Sequence, residues 1–213
     1  MTDPKDAPAT VHVVDDDAGV RDSLRLLLEM AGFTVRTHAN AAALLAAAVR
    51  EAVGCVLSDV RMPEIDGLEL QRRLNQSGIN LPVILMTAHG GVHTAVSGMK
   101  AGAVDFLEKP FGEDQLFSAV RRALERSRRH QARRSVTAES TGKLAALTAR
   151  ERDVLELLVA GLSSKAIART LHISPRTVDV HRARVFEKLH AENLPALVRL
   201  VMAAEPQSDA DDG

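Results

Sequence analysis

Residues 10 to 128 repeat one cadence five times: a short β-branched or apolar run, a turn, then a segment with helical spacing. The runs are "TVHVV", "TVRT", "CVLS", "PVILM" and "AVDFL". Helices are predicted at 19 to 31, 40 to 50, 67 to 77, 92 to 101 and 114 to 129, where apolar residues such as Leu24, Leu27, Leu28 and Ala31 recur every three or four positions. Strand alternating with helix means a parallel sheet covered on both faces by right-handed crossovers, a doubly wound five-stranded α/β domain.

From 129 to 143 the chain is rich in Ser, Thr and charge without an apolar period, and reads as a linker. Beyond it the period is purely helical, which predicts an all-α domain over 144 to 205. Thr148 and Glu151 form a capping box ahead of "ARERDVLELLVAG", and Gly161 stops that helix. Ser163 or Ser164 caps "SKAIARTL"; Ser174 as N-cap and Pro175 as first residue open "PRTVDVHRARVFEKL", and a last helix spans 193 to 204. The arginine-rich run "RRALERSRRHQARR" at 121 to 134 fits a solvated helix face as readily as a nucleic-acid contact.

In a doubly wound sheet, ligands bind beyond the carboxyl ends of the strands where strand order reverses. Polar residues gather at those ends: Asp15 and Asp16 after the first run, Asp59 after the third, Thr87 after the fourth and Lys109 after the fifth. At ~4 Å and an effective dielectric of ~20, each carboxylate pair would cost about 4 kcal/mol, which a divalent cation removes. Hard oxygen ligands suit Mg²⁺ or Mn²⁺. A carboxylate beside such an ion, with an ammonium and a hydroxyl nearby, can attack phosphorus and become an acyl phosphate. Asp17 reads instead as an acid at a helix N-terminus. The single cysteine, Cys55, reads as a buried, inert thiol.

"VVDDD", "LSDVRMPEIDG", "MTAHG" and "AVDFLEKPF" together resemble the receiver domain of bacterial two-component response regulators over residues 10 to 128. The resemblance implies that Asp59 is the phosphoacceptor, that Asp16, Asp59 and the Arg61 carbonyl ligate Mg²⁺ with Asp15 acting through water, and that the Lys109–Pro110 bond is cis. It implies a switch in which Thr87 turns to the phosphoryl group and Phe106 swings inward, remodelling the face built by the predicted 92 to 101 helix, "AVDFL" and the 114 to 129 helix. Arg61 and His89 stand where the family tunes phosphoryl lifetime.

"SKAIARTLHISPRTVDVHRARVFEKL" has the form of a helix-turn-helix. Val178, Val185 and Leu189 face its core; Arg176, Thr177, Val180, His181, Arg184 and Lys188 lie opposite, suited to phosphates and base edges. Residues 147 to 203 resemble the LuxR-type DNA-binding domain, which implies that Lys165 and Arg176 touch phosphates; Asp179 stands where some members carry a basic residue. The two blocks together resemble the NarL/FixJ class, and "VVDDDAGVRDSL", "DVRMP" and "AVDFLEKPF" lean to its FixJ branch, although Gly91 replaces an acid often seen there.

The implied protein is a regulator rather than an enzyme. A sensor histidine kinase phosphorylates Asp59, the receiver dimerises, and paired recognition helices engage an inverted-repeat duplex and RNA polymerase. One rival is a Mg²⁺-dependent aspartyl phosphohydrolase, which would want an acid two residues after its nucleophile, where this chain has Arg61. Another is a DNA-binding protein with an idle receiver. "LPVILM" is too short to cross a bilayer, and "MTDPKDAPAT" lacks the order of a signal peptide, so a cytoplasmic protein is expected, with no membrane partner.

Overall fold

The computed structural model describes residues 9–47, 53–88, 98 and 102–205. They fall into two compact units, divided between Ala132 and Arg133.

The first unit holds one parallel sheet of β1 (Thr10–Val14), β2 (Thr34–His38), β3 (Gly54–Asp59), β4 (Val83–Thr87) and β5 (Asp105–Glu108), in the order β2-β1-β3-β4-β5. Around it run α1 (Ala18–Met30), α2 (Ala41–Ala46), α3 (Gly67–Gln76) and the start of α4 (Glu113–Ala145). Successive strand residues point to opposite faces, so each buried strand feeds two cores. Val11, Val13, Cys55, Leu57, Ile84 and Met86 meet Leu24 and Leu28 of α1 and Leu116 and Val120 of α4. Val14, Val56, Val83 and Leu85 meet Leu44 of α2 and Leu70 and Leu74 of α3. Each such fully buried leucine contributes roughly 1.5–3 kcal/mol relative to exposure. Cys55 lies wholly buried in the first core, and burial pushes its thiol pKa up to about 12, as an inert thiol requires.

Asp17 is the N-cap of α1, its carboxylate accepting from the Gly19 and Val20 amides, so the helix-terminus reading holds for this acid. Gly67 opens α3 where a Cβ would sit 2.5 Å from the Asp59 carbonyl oxygen. Only glycine lets α3 start that close to the end of β3.

The stretch read as a linker is helical: α4 continues from Glu113 to Ala145. Its Gln, Ala, Arg, Glu and Lys residues are good helix formers, Glu139 pairs with Lys143 one turn on, and extending an existing helix costs far less than nucleating one. The absence of an apolar period showed that this part buries no apolar stripe, not that it lacks a helix. His89, Gly91 and the helix expected at 92 to 101 lie outside the described residues, apart from Gly98.

The second unit continues with α5 (Ala149–Val159), α6 (Ser164–Leu171), α7 (Pro175–Lys188) and α8 (Leu194–Ala204) around Val154, Leu158, Ile167, Val178, Val185, Leu189 and Leu197. The capping box at Thr148 and Glu151 is present, Ser163 caps α6, and Ser174 with Pro175 opens α7. Gly161 takes a φ of +82° directly after α5, a left-handed conformation that ends the helix.

Candidate functional site

Strand order reverses between β1 and β3, because β2 lies on one side of β1 and β3 on the other. Asp15 directly follows β1, and Asp59 is the last residue of β3; both are buried, at 2% and 8% exposure. Lys109, past the end of β5, reaches both: its Nζ donates to Asp15 Oδ2 at 2.9 Å and to Asp59 Oδ1 at 2.7 Å. The other carboxylate oxygens are held by main chain, Asp15 Oδ1 by the Asp17 amide at 3.0 Å and Asp59 Oδ2 by the Arg61 amide at 2.7 Å. Partial burial pulls the Lys109 pKa down, but the hydrogen bonds it donates to Asp59 and Asp15 outweigh it and the net direction is up. Lys109 therefore stays an ammonium at any physiological pH.

Thr87 ends β4 and is buried; its carbonyl accepts from the Lys109 amide at 2.7 Å, which ties the β5 loop to the site. The Lys109–Pro110 bond is cis. Phe106 lies on β5 opposite Leu85 and is half-buried against the core under α2 and α3. Asp16 is exposed, beside Asp15. Arg21 of α1 was not singled out from the sequence: its Nη1 donates to the carbonyls of Asp15 and Asp16 at 2.8 and 3.1 Å, fixing the loop that carries both acids. No sequence pattern marks a side chain that works through carbonyls.

Three carboxylates against one ammonium leave a surplus of negative charge at this edge. Among the described residues no cage of three or more His, Cys, Asp or Glu side chains closes on one point. The carboxylates gathered at this edge, Asp15, Asp16 and Asp59, are hard oxygens, which suit a cation that keeps much of its water, such as Mg²⁺, and not a dry tetrahedral zinc site.

In the helical unit, α6, a tight turn through His172 at φ 54°, and α7 make the expected helix-turn-helix. Arg176, Thr177, Val180 and Arg184 are exposed along one side of α7, and Lys165 is exposed on α6. Two residues depart from the expected face. Lys188 is exposed, but its Nζ donates to Glu151 Oε2 at 2.7 Å and to the Ala146 carbonyl at 3.3 Å, because the buried Glu151 of the capping box needs a cation. The hydrogen bond from Lys188, with those from the Thr148 backbone and hydroxyl, holds the Glu151 pKa down to about 2. His181 is half-buried and its Nδ1 is enclosed by protein with no hydrogen-bond partner, so that edge of the ring faces the domain. Asp179 joins the two helices of this motif. Its Oδ1 accepts from Ser164 Oγ at 2.9 Å, and Arg182 donates to the same hydroxyl at 2.7 Å, joining α6 to α7.

Residues 11–121 match the response regulator receiver domain family, and residues 145–201 match the bacterial regulatory proteins of the luxR family. The chain is 50% identical over 202 residues to the transcriptional regulatory protein FixJ of Azorhizobium caulinodans, covering 94% of this chain and 96% of that one. It is 47% identical over 194 residues to FixJ of Rhizobium meliloti, covering 91% and 95%. Among solved structures, the response regulator StyR superposes with a TM-score of 0.80 at 40% identity, over 92% of this chain and 99% of that one.

Proposed function

The chain belongs to the response regulators that join a receiver domain to a LuxR-type DNA-binding domain, and we propose from that membership that Asp59 is its phosphoacceptor. The protein is a phosphorylation-activated transcriptional regulator, and a histidine kinase and DNA are its partners. The observation that carries the assignment of Asp59 is the Lys109 ammonium held between two buried carboxylates at the switch point of the sheet.

Asp59 attacks phosphorus through a carboxylate oxygen; the new oxygen–phosphorus bond forms as the donor's bond to phosphorus breaks, and the donor leaves with that electron pair. Lys109 meets the charge on the phosphoryl oxygens, and the Thr87 hydroxyl donates to one of them. Asp16, Asp59 and the Arg61 carbonyl, with Asp15 through water, would hold Mg²⁺ or Mn²⁺, which would neutralise charge on the incoming phosphoryl group. Phe106, half-buried on β5, takes up the volume that Thr87 vacates, and the changed face pairs two copies. Residues 10–128 are the receiver and 144–205 the DNA-binding domain of a cytoplasmic regulator that catalyses nothing beyond its own phosphoryl uptake and loss. The paired α7 helices bind an inverted-repeat duplex through Lys165, Arg176, Thr177, Val180 and Arg184, where RNA polymerase is engaged. Lys188 and the enclosed edge of His181 serve the domain's own packing.

Duplex binding with and without Mg²⁺ and a small acyl-phosphate donor tests this reading. Phosphoryl donation tightens binding of the wild type to its operator, and Arg176→Ala weakens binding across many sequences while lowering the salt slope by about one. Donor-independent affinity would return the idle-receiver alternative.

A further inference from the structure

Arg121 and Arg128 of the arginine-rich run take part neither in the phosphoryl site nor in the α7 face described above. On α4 the buried residues Leu116, Ala119, Val120, Ala123, Leu124 and Ser127 define the side turned to the receiver core. At 100° per residue, Arg121 and Arg128 lie on one flank away from that side, and Arg122 and Arg129 on the other. Arg122 is paired with Asp105 and Arg129 with Glu125. Arg121 and Arg128 are exposed and have no carboxylate partner among the described residues.

Several arginines on other helices sit beside acids. Arg25 lies between Asp22 and Glu29, Arg72 and Arg73 share Glu69, and Arg150 meets Asp153. That is how a solvated helix face is ordinarily stabilised. The α4 run also sets Arg122 against Arg126, and Arg126 against Arg129, at spacings where like charges destabilise a helix, on the flank where Arg122 and Arg129 have acidic partners. Seven arginines stand against one glutamate over residues 121–134. What remains uncompensated is the charge of Arg121 and Arg128, which an external polyanion would meet. Arg121 and Arg128 are two turns apart on one side, separated by about 10 Å along the helix. Duplex DNA offers one negative charge per ~1.7 Å of its axis.

We propose that this face of α4 binds the phosphate backbone of duplex DNA, a second and sequence-independent contact besides α7. The proposal rests on the DNA-binding reading of α7. Its test uses the full chain, phosphorylated with an acyl-phosphate donor, on a random-sequence duplex of about 40 base pairs across a series of salt concentrations. Arg121→Ala/Arg128→Ala keeps the helix, since alanine is its best former. The double variant is expected to bind more weakly at low salt and to show a log–log salt slope shallower by about two, with helical circular dichroism and phosphoryl uptake at wild-type levels. An unchanged affinity and slope, while Arg176→Ala still weakens binding, overturns the proposal and leaves α7 as the DNA contact; loss of binding to an acidic polypeptide but not to the duplex overturns it as well. If the wild type binds no duplex at all, the DNA-binding reading fails and takes the proposal with it.

Discussion

Replacing Lys109 by methionine keeps the aliphatic stem and deletes the charge that holds Asp15 and Asp59 together. At the observed 2.9 and 2.7 Å, each contact carries a gross attraction of roughly 6 kcal/mol at an effective dielectric of ~20. Desolvation offsets much of that, and removing one partner of a buried pair typically costs about 3–5 kcal/mol. The Lys109 side chain keeps 24% of its surface in water, which puts the expected loss near ~3 kcal/mol. For a unit of this size, that lowers the receiver's melting temperature by roughly 10 °C. The chain has no Trp or Tyr, so the melt is followed by far-ultraviolet circular dichroism and calorimetry in chelator. Adding Mg²⁺ should then raise the variant's melting temperature by more than the wild type's, since one fewer cation shares the two acids. Phosphoryl uptake should nonetheless fall, because nothing replaces the ammonium on the phosphoryl oxygens. An unshifted melt in chelator, or equal Mg²⁺ increments in both proteins, would refute the reasoning.

Asp17→Ala should lower receiver stability by about 1 kcal/mol through loss of the α1 cap and leave the Mg²⁺ requirement of phosphoryl uptake unchanged; a raised requirement would move Asp17 into the site. The helical unit should weaken in acid. The Glu151 carboxylate has a folded pKa of about 2 against roughly 4.3 unfolded, so its contribution is complete above about pH 4.5 and is lost as pH falls towards 2. Thermal melts of wild type and Lys188→Met between pH 2 and 6 should converge at the acid end, and parallel curves would remove this pair as the cause.

The receiver's site was legible because parallel strands impose a rule: an acid closing an apolar run must emerge at the ligand edge, which locates Asp15 and Asp59 without coordinates. Helix starts were equally legible at Thr148 and at Ser174–Pro175, since capping chemistry is local. Three features were not. The helical course of residues 129 to 143 depends on continuation from a packed helix, which periodicity does not report. The pairing of Lys188 depends on Glu151, 37 residues away in sequence, being buried. The hydrogen bond at 3.1 Å between the stacked rings of His12 and His38 joins two strands through parallel pairing that no short-range pattern encodes.

The account stands on phosphorylation of Asp59 being what pairs two copies. Sedimentation velocity with and without Mg²⁺ and a small acyl-phosphate donor, on wild type and Asp59→Asn, with intact mass recorded alongside, tests it most directly. The account predicts that the wild type gains one phosphoryl mass and dimerises while the variant does neither; a variant that gains the same mass and dimerises, or a wild type that gains none, would contradict it.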